Sequence, residues 1–196
     1  LKAICVEDTF STKKERSFIV GTSTGQIIYH KHVWFSPKDI ELFRGSSSPV
    51  TSIAWRGDVV AWADTSQVRV MNVNTQAAIC YLNSPPNVGP DNPFPCHLFW
   101  ESEYDLLVGW ADSFRHLQLV YTNTQQNDDD AVMQQKGNIS IDIRARLITD
   151  WRADTIICGL SSFDQNHILL LGYLPSEAEI ENENEIEDEN ENENNE

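Results

Sequence analysis

The amino-acid sequence predicts an all-β protein of the β-propeller class, and three observations lead to this prediction. Short apolar runs, several of which alternate with polar residues, are separated by tight polar turns, as expected for antiparallel strands. A pattern that contains two tryptophans recurs at intervals of roughly 40 to 50 residues, which is the period of a propeller blade. No segment has the apolar periodicity of a long amphipathic helix.

The clearest repeat unit spans Val50–Val73 and reads VTSIAWRGDVVAWADTSQVRVMNV. It predicts three strands, namely an alternating VTSIAW run, a continuous apolar VVAWA run and an alternating QVRVMNV run. The polar connections Arg-Gly-Asp and Asp-Thr-Ser predict tight turns between these strands. A three-stranded meander of this kind forms most of a propeller blade.

Related units lie on both sides of this one. The stretch Trp100–Val120 repeats the pattern, and its Trp110 follows Trp62 by 48 residues. A weaker copy comes first, where Gln26–Tyr29 matches Gln67–Val70 at an offset of 41 residues. A fourth apolar run and turn follow in TIICGLSSFDQNHILLLGYL. The sequence therefore predicts a partial, WD-repeat-like β-propeller with about three full four-stranded antiparallel blades and partial blades at its ends.

Charge divides the chain into two predicted parts, a partial WD-type propeller over residues 1–175 and an acidic, low-complexity, disordered segment over residues 176–196. The formal net charge is −16, and eleven acidic residues with no basic residue lie between Glu177 and Glu196. The remainder carries −5, and no basic surface interleaved with aromatic residues is visible, so nucleic acid is not an expected partner. Because the chain begins with Leu1 and a strand follows at once, we expect a segment of a longer protein.

The cysteines and apolar runs indicate the cellular compartment. Cys5, Cys80, Cys96 and Cys158 lie far apart beside apolar runs without Cys-x-x-Cys spacing, which favours buried reduced thiols over disulfides or a metal site. We find no signal segment, and the apolar runs are far shorter than a membrane span, so we expect a soluble cytoplasmic chain. Asn138 opens an Asn-x-Ser acceptor that should stay unmodified there.

Residues that could carry chemistry are few. His30 and His32 could supply two metal ligands, but no third ligand follows at a recognisable spacing, so an exposed pair at a strand end is favoured. Asp64 and Asp112 follow equivalent tryptophans; they could form a catalytic carboxylate pair, but turn residues that accept hydrogen bonds from backbone amides are favoured. The sequence therefore predicts no catalytic, metal-binding or cofactor-binding residues and no cofactor.

Two sets of motifs resemble known families. The stretch Arg44–Trp55 is similar to the start of a WD-type repeat, but Ser46 replaces its usual histidine and Met71-Asn72 its usual Trp-Asp, so the buried hydrogen-bond network of that repeat is not expected. The stretches WRGDVVAWADTSQVRVMNV, FPCHLFWESEYDLLVGWADS and WRADTIICGLSSFDQNHILLLGYL resemble, in this order, the N-terminal propeller of the vacuolar protein sorting-associated protein 41 family. The resemblance covers Leu1 to Leu174 and corresponds to the later blades of that propeller.

This resemblance implies a non-catalytic interaction platform in the HOPS complex, which tethers late endosomes, autophagosomes and transport vesicles to the lysosome or vacuole before fusion. The implied partners are other HOPS subunits, Rab or Arf-like small GTPases and adaptor-coated carriers. The implied location is cytoplasmic and peripheral on late endosome, lysosome or vacuole membranes. No partner-binding residue can be transferred, because the matching motifs are blade cores.

Two alternative functions remain at this point. A generic WD-type adaptor scaffold in another multiprotein complex would share the same fold and the same absence of motifs. A propeller enzyme would need a channel lined by carboxylates or histidines from several blades.

Overall fold

The computed structural model describes residues 1–7, 11–12, 16–33, 36–45, 47–86, 88–89, 93–124, 140–164 and 167–174. Every regular element in these ranges is a β-strand, as the sequence predicts. The expected acidic segment over residues 176–196 and the acceptor Asn138 lie outside the described residues.

The described strands form three four-stranded antiparallel sheets and one two-stranded sheet, each in simple meander order. We call these sheets blades 1 to 4. Blade 1 contains β1 (Ala3–Val6), β2 (Phe18–Gly21), β3 (Ile27–Val33) and β4 (Ser36–Phe43). Blade 2 contains β5 (Ser52–Arg56), β6 (Val59–Ala63), β7 (Gln67–Asn72) and β8 (Ala78–Asn83). Blade 3 contains β9 (His97–Trp100), β10 (Asp105–Trp110), β11 (Ser113–Thr124) and β12 (Ser140–Arg152), and blade 4 contains β13 (Ile156–Ser162) and β14 (Ile168–Tyr173). The prediction of a partial propeller with about three full blades is confirmed.

The blades lie side by side in chain order, with their first strands next to one another. Strand β5 contacts β1 on one side and β9 on the other, and β9 also contacts β13. Glycine permits one close approach between blades, because a Cβ atom on Gly109 would lie 2.7 Å from the side chain of Ile157. The result is an arc of blades rather than a closed ring.

The continuous apolar run of β6 is explained by cover on both faces, since all five of its residues are buried. Val60 and Trp62 pack towards blade 1 against residues such as Ile19 and Ile27. Val59, Ala61 and Ala63 pack towards blade 3. Trp62 is 1% exposed and therefore belongs to the core, as its place in the repeat predicts.

Trp110 has the same role one blade later. It packs in the core between blades 2 and 3, together with Leu106 and Val108, so it too contacts the preceding blade. Trp55 and Trp100, which lie in the first strands of blades 2 and 3, likewise contact the preceding blade. All four tryptophans are therefore core residues, but the strand registers of the two blades differ. Trp55 lies opposite Val60, two residues before Trp62, whereas Trp100 lies opposite Leu106, four residues before Trp110.

Blade 3 differs from its neighbours in the length of its outer strands. Strand β12 has 13 residues and pairs with β11 from Ser113 to Thr124, whereas β10 covers only residues 113–118 of β11. The register shifts between His116 and Leu117, which leaves Ile148 unpaired as a β-bulge in β12. Strand β12 is the outermost strand of its sheet.

Apolar surface is exposed at the two ends of the arc. On blade 1, Ile4 and Val6 of β1 are 57% and 47% exposed. On blade 4, Leu169 and Leu171 of β14 are 56% and 66% exposed. Sheet faces of this kind are normally covered by a neighbouring blade, so the described part of the chain ends in two uncovered blade faces.

Candidate functional site

The histidine pair at the end of β3 does not form a metal site with other described residues. His30 Nδ1 lies 2.6 Å from Asp39 Oδ1 on the adjacent strand, and its ring stacks on Phe18 at 4.5 Å. The side chain of His32 lies outside the described residues. No group of three or more potential metal ligands is found in the part of the chain that the structure describes.

The two equivalent aspartates have different partners. Asp64 Oδ1 accepts hydrogen bonds from the Ser66 amide at 2.8 Å, the Ser66 hydroxyl at 2.8 Å and the Gln67 amide at 3.0 Å. It therefore stabilises the turn between β6 and β7, as predicted. Asp112 instead forms an ion pair with Arg152 across the end of blade 3.

The four cysteines are all free thiols, as expected from their spacing. Cys96 is buried, and the other three are partly buried. Burial raises the pKa of Cys80 to about 11 and also raises the pKa of Cys96, so both remain protonated near neutral pH. Their chemistry matches that of small core residues rather than nucleophiles.

A serine, an aspartate and a histidine meet in blade 3, which the sequence did not reveal. Asp105 accepts hydrogen bonds from the Ser102 hydroxyl at 2.7 Å and from His116 Nε2 at 2.9 Å. Burial alone would raise the pKa of Asp105, but bonds from Ser102, His116 and Gln118 together with the charge of His116 hold it below its usual value. The aspartate, not the histidine, lies between the other two, so the imidazole of His116 does not contact the serine hydroxyl as it does in a serine–histidine–aspartate triad. The cluster holds a turn and a strand pair together.

A polar cleft with an aromatic wall lies between blades 1 and 2. Its volume is about 270 Å³. Tyr29 and Trp55 form the wall, with their rings edge to face at 5.4 Å. The polar residues that line it are Glu7, Ser17, Lys31, Asp58 and Asn74.

The turns of blade 2 hold this cleft in shape. Trp55 Nε1 donates a hydrogen bond to the Gly57 carbonyl at 2.8 Å, and Gly57 adopts a φ of 53°, which favours glycine. Asn72 Oδ1 accepts hydrogen bonds from the Asn74 and Thr75 amides, both at 2.9 Å, so it fixes the next turn. Tyrosine and tryptophan, which form the wall of this cleft, are enriched at protein contact sites.

The sequence supplied only part of this cleft. The Arg-Gly-Asp connection was recognised as a turn, but the closeness of Lys31 in blade 1 to Asp58 in blade 2 depends on how the blades pack. Residues from two repeats meet here, and the spacing of residues within one repeat does not reveal such a contact.

No described helix is long and apolar enough to cross a membrane.

The radial sheets and their clefts define the chain as a partial β-propeller. A family model for the Vps41 β-propeller matches residues 1–195 of the chain. The description of this model reads "Vps42 beta-propeller". The chain therefore belongs to the Vps41 β-propeller family. The resemblance noted in the sequence is confirmed.

Similar proteins occur in plants, fungi and animals. The chain is 26% identical over 179 residues to the vacuolar protein sorting-associated protein 41 homolog of Arabidopsis thaliana, covering 91% of this chain and 18% of the relative. It is 25% identical over 174 residues to vacuolar protein sorting-associated protein 41 of Schizosaccharomyces pombe, covering 89% and 18%. Identity to the Homo sapiens homolog is 22% over 116 residues, covering 59% and 13%. The chain thus spans less than a fifth of the length of these relatives.

One solved structure supports the fold. The computationally designed Ika4 protein matches with a TM-score of 0.51 and 12% identity, covering 88% of this chain and 90% of that chain. At this identity the likeness concerns the fold alone.

Proposed function

We propose that this chain is a non-catalytic protein-interaction domain of a membrane-tethering complex that serves vesicle-mediated protein transport to the vacuole or lysosome. The observation that carries the proposal is the family match over residues 1–195. The relatives in Arabidopsis thaliana and Schizosaccharomyces pombe are named for vacuolar protein sorting, which supports the pathway.

The proposal extends to the complex and its location. The complex is HOPS, and the partners are its other subunits, Rab or Arf-like small GTPases and adaptor-coated carriers. The protein acts in the cytoplasm, peripherally on late endosome, lysosome or vacuole membranes, and contributes to autophagy. Residues 1–175 supply the interaction surface, and residues 176–196 form a separate acidic segment.

The geometry supports binding rather than catalysis. The cleft between blades 1 and 2 presents Lys31 and Asp58 beside an aromatic wall. Tyrosine and tryptophan are enriched in protein contact sites, and charges beside them contribute to the choice of partner. The one cluster in blade 3 that combines Ser102, Asp105 and His116 lacks the geometry of a nucleophile and its base.

Charge supports indirect membrane recruitment. The formal net charge of −16 is concentrated in the acidic segment, and the anionic lipids of cytoplasmic leaflets repel such a segment. Recruitment therefore depends on protein partners that are themselves held on the membrane.

Liposome flotation at physiological salt tests this mode of recruitment. We expect the chain to float with liposomes only when a membrane-anchored, GTP-loaded Rab-type GTPase and the remaining tether subunits are present. Deletion of Glu177–Glu196 should leave that recruitment intact. Strong flotation on bare anionic liposomes would overturn the proposal.

The cleft itself can be tested by charge reversal in the same assay. The double change Lys31→Glu and Asp58→Lys keeps the net charge but inverts the pattern that a partner would recognise. We expect recruitment to fall at least tenfold, while Lys38→Glu on the exposed strand β4 should leave it unchanged. Equal recruitment of both variants would remove this cleft from the proposed interaction surface.

A further inference from the structure

Two hydroxyl groups at the bottom of the cleft between blades 1 and 2 are available to a ligand. Ser17 is 5% exposed and Tyr29 is 8% exposed, and both line the cleft. Neither hydroxyl forms a hydrogen bond with another group in the part of the chain that the structure describes. A ligand in the cleft could therefore bond to both hydroxyls without breaking an internal hydrogen bond.

Blade 1 forms one wall of the cleft, and this wall can donate hydrogen bonds. Ile19 and Tyr29 pair across β2 and β3, and both pack towards blade 2. Because side chains alternate along a strand, Lys31 lies on the same face as Tyr29, and Ser17 continues the face of Ile19. The wall thus presents the Lys31 ammonium group together with the two hydroxyls.

Blade 2 forms the opposite wall, and this wall can accept hydrogen bonds. Asp58 lies in the turn between β5 and β6, where its backbone carbonyl accepts a hydrogen bond from the Val73 amide at 2.8 Å. Among the described residues, neither the Asp58 carboxylate nor the Lys31 ammonium group forms an ion pair. The third charged residue of the cleft, Glu7, is engaged in a further interaction. Two opposite charges therefore line one cleft without pairing, and a ligand between them can contact both.

The charges on the two walls select the kind of ligand. A carboxylate would pair with Lys31 but would also lie beside the carboxylates of Asp58 and Glu7. An ammonium or guanidinium group would pair with Asp58 but would lie beside Lys31. A carboxamide avoids both conflicts, because it is neutral, its oxygen accepts hydrogen bonds and its NH₂ group donates them. The cleft, with a volume of about 270 Å³, has room for such a side chain.

We propose that this cleft binds the carboxamide side chain of a glutamine or asparagine in an exposed loop of a partner protein. The inference rests on the proposed function, because it names the group through which a protein partner enters the cleft. The carboxamide oxygen accepts hydrogen bonds from Lys31 and from the hydroxyls of Ser17 and Tyr29. The NH₂ group donates to Asp58, and the aliphatic part of the side chain packs against Trp55.

Nuclear magnetic resonance of the full chain tests the ligand class without a partner protein. The reporter is the indole N–H of Trp55, which lines the cleft and donates to the Gly57 carbonyl. The probes are glutamine, glutamate, lysine and glycine, each with N-acetyl and N-methylamide caps, at physiological salt. We expect capped glutamine to bind with a Kd on the order of mM, and the other three to bind roughly fivefold more weakly or worse. Absence of a saturable shift with capped glutamine, or equal binding of any other probe, would overturn the proposal.

Two single substitutions should change which probe binds best. Lys31→Met leaves the Asp58 carboxylate unopposed, so capped lysine should then bind more tightly than capped glutamine. Asp58→Asn leaves the Lys31 ammonium group unopposed, so capped glutamate should bind more tightly than capped glutamine. Lys2→Met and Asp154→Asn make the same charge changes at exposed residues outside the cleft and should keep the preference for glutamine. An unchanged preference in both cleft variants would contradict the assigned roles of the two charges.

A third substitution tests the buried hydroxyl. Tyr29→Phe removes one hydrogen-bond donor but keeps the ring against Trp55, so the affinity for capped glutamine should fall roughly threefold or more. Tyr81→Phe is the matched control, because Tyr81 is 70% exposed and lies outside the cleft. Equal affinity of these two variants would exclude the Tyr29 hydroxyl from the site. Flotation tests recruitment by partners and these titrations test the ligand, so success in one assay and failure in the other shows which of the two proposals is wrong.

Discussion

Replacement of Trp62 by alanine should strongly destabilise the propeller. Trp62 is 1% exposed, packs between blades 1 and 2, and has its ring 5.5 Å from that of Phe43. A buried aromatic side chain removes roughly 150–250 Å² from water, which at about 25 cal/mol per Å² is worth roughly 4–6 kcal/mol. An alanine side chain still buries part of this area, and the neighbouring side chains relax into part of the space. We therefore expect Trp62→Ala to lower the free energy of unfolding by about 3–5 kcal/mol.

Urea unfolding at low temperature and low protein concentration, followed by circular dichroism, measures this loss. Trp151→Ala is a matched control, because Trp151 contacts Phe114 at 5.0 Å but is 40% exposed, and it should cost only about 1–2 kcal/mol. Trp110→Ala should resemble Trp62→Ala, since Trp110 is 4% exposed in the second strand of the next blade. If Trp62→Ala kept full stability while one partner's binding was lost, the assignment of Trp62 to the blade core would be refuted.

Three further predictions follow from the turns, the charges and the ends of the arc. Asp64→Ala should lower the unfolding free energy by roughly 1–2 kcal/mol, because two turn amides lose their acceptor; Asp64→Asn should lose less. The pKa of Asp105 lies below its usual 3.8, so its ionised form stabilises the fold above pH 3.8 and this contribution disappears as pH falls further. Asp105→Asn should therefore flatten the acid side of the urea-midpoint profile, and an unchanged acid slope would contradict this. The uncovered faces of β1 and β14 should make heating end in aggregation or poorly cooperative unfolding, and a sharp, reversible transition of a monomer would count against it.

Much of the fold follows from local patterns in the sequence. The repeat of Trp62 at Trp110 predicted equivalent strands in adjacent blades, because a side-chain period of two and a fixed turn spacing are local properties of the chain. The run VVAWA predicted a strand covered on both faces, and all five residues of β6 are buried. Asp64 was recognised as a turn residue for the same reason, since its hydrogen-bond partners are Ser66 and Gln67.

Other features depend on distant parts of the chain and were not predicted. Asp112 follows its tryptophan as Asp64 does, yet it pairs with Arg152, which lies forty positions later. The contact between His116 and Asp105 exists because β10 and β11 pair in one register. In each case the partner is set by strand pairing, about which the residue's own neighbourhood carries no information.

The sequence by itself determined the propeller class, the blade period, the core tryptophans and the strict alternation of glutamate between Glu177 and Glu193. These properties follow from the spacing of residues along one strand or one repeat. Only the tertiary structure decided which residues line the cleft between blades 1 and 2, and that Arg144 and Arg146 lie exposed on one face of the outermost strand of blade 3. Those properties arise where separate repeats meet or where a sheet ends, and the packing of whole blades fixes both.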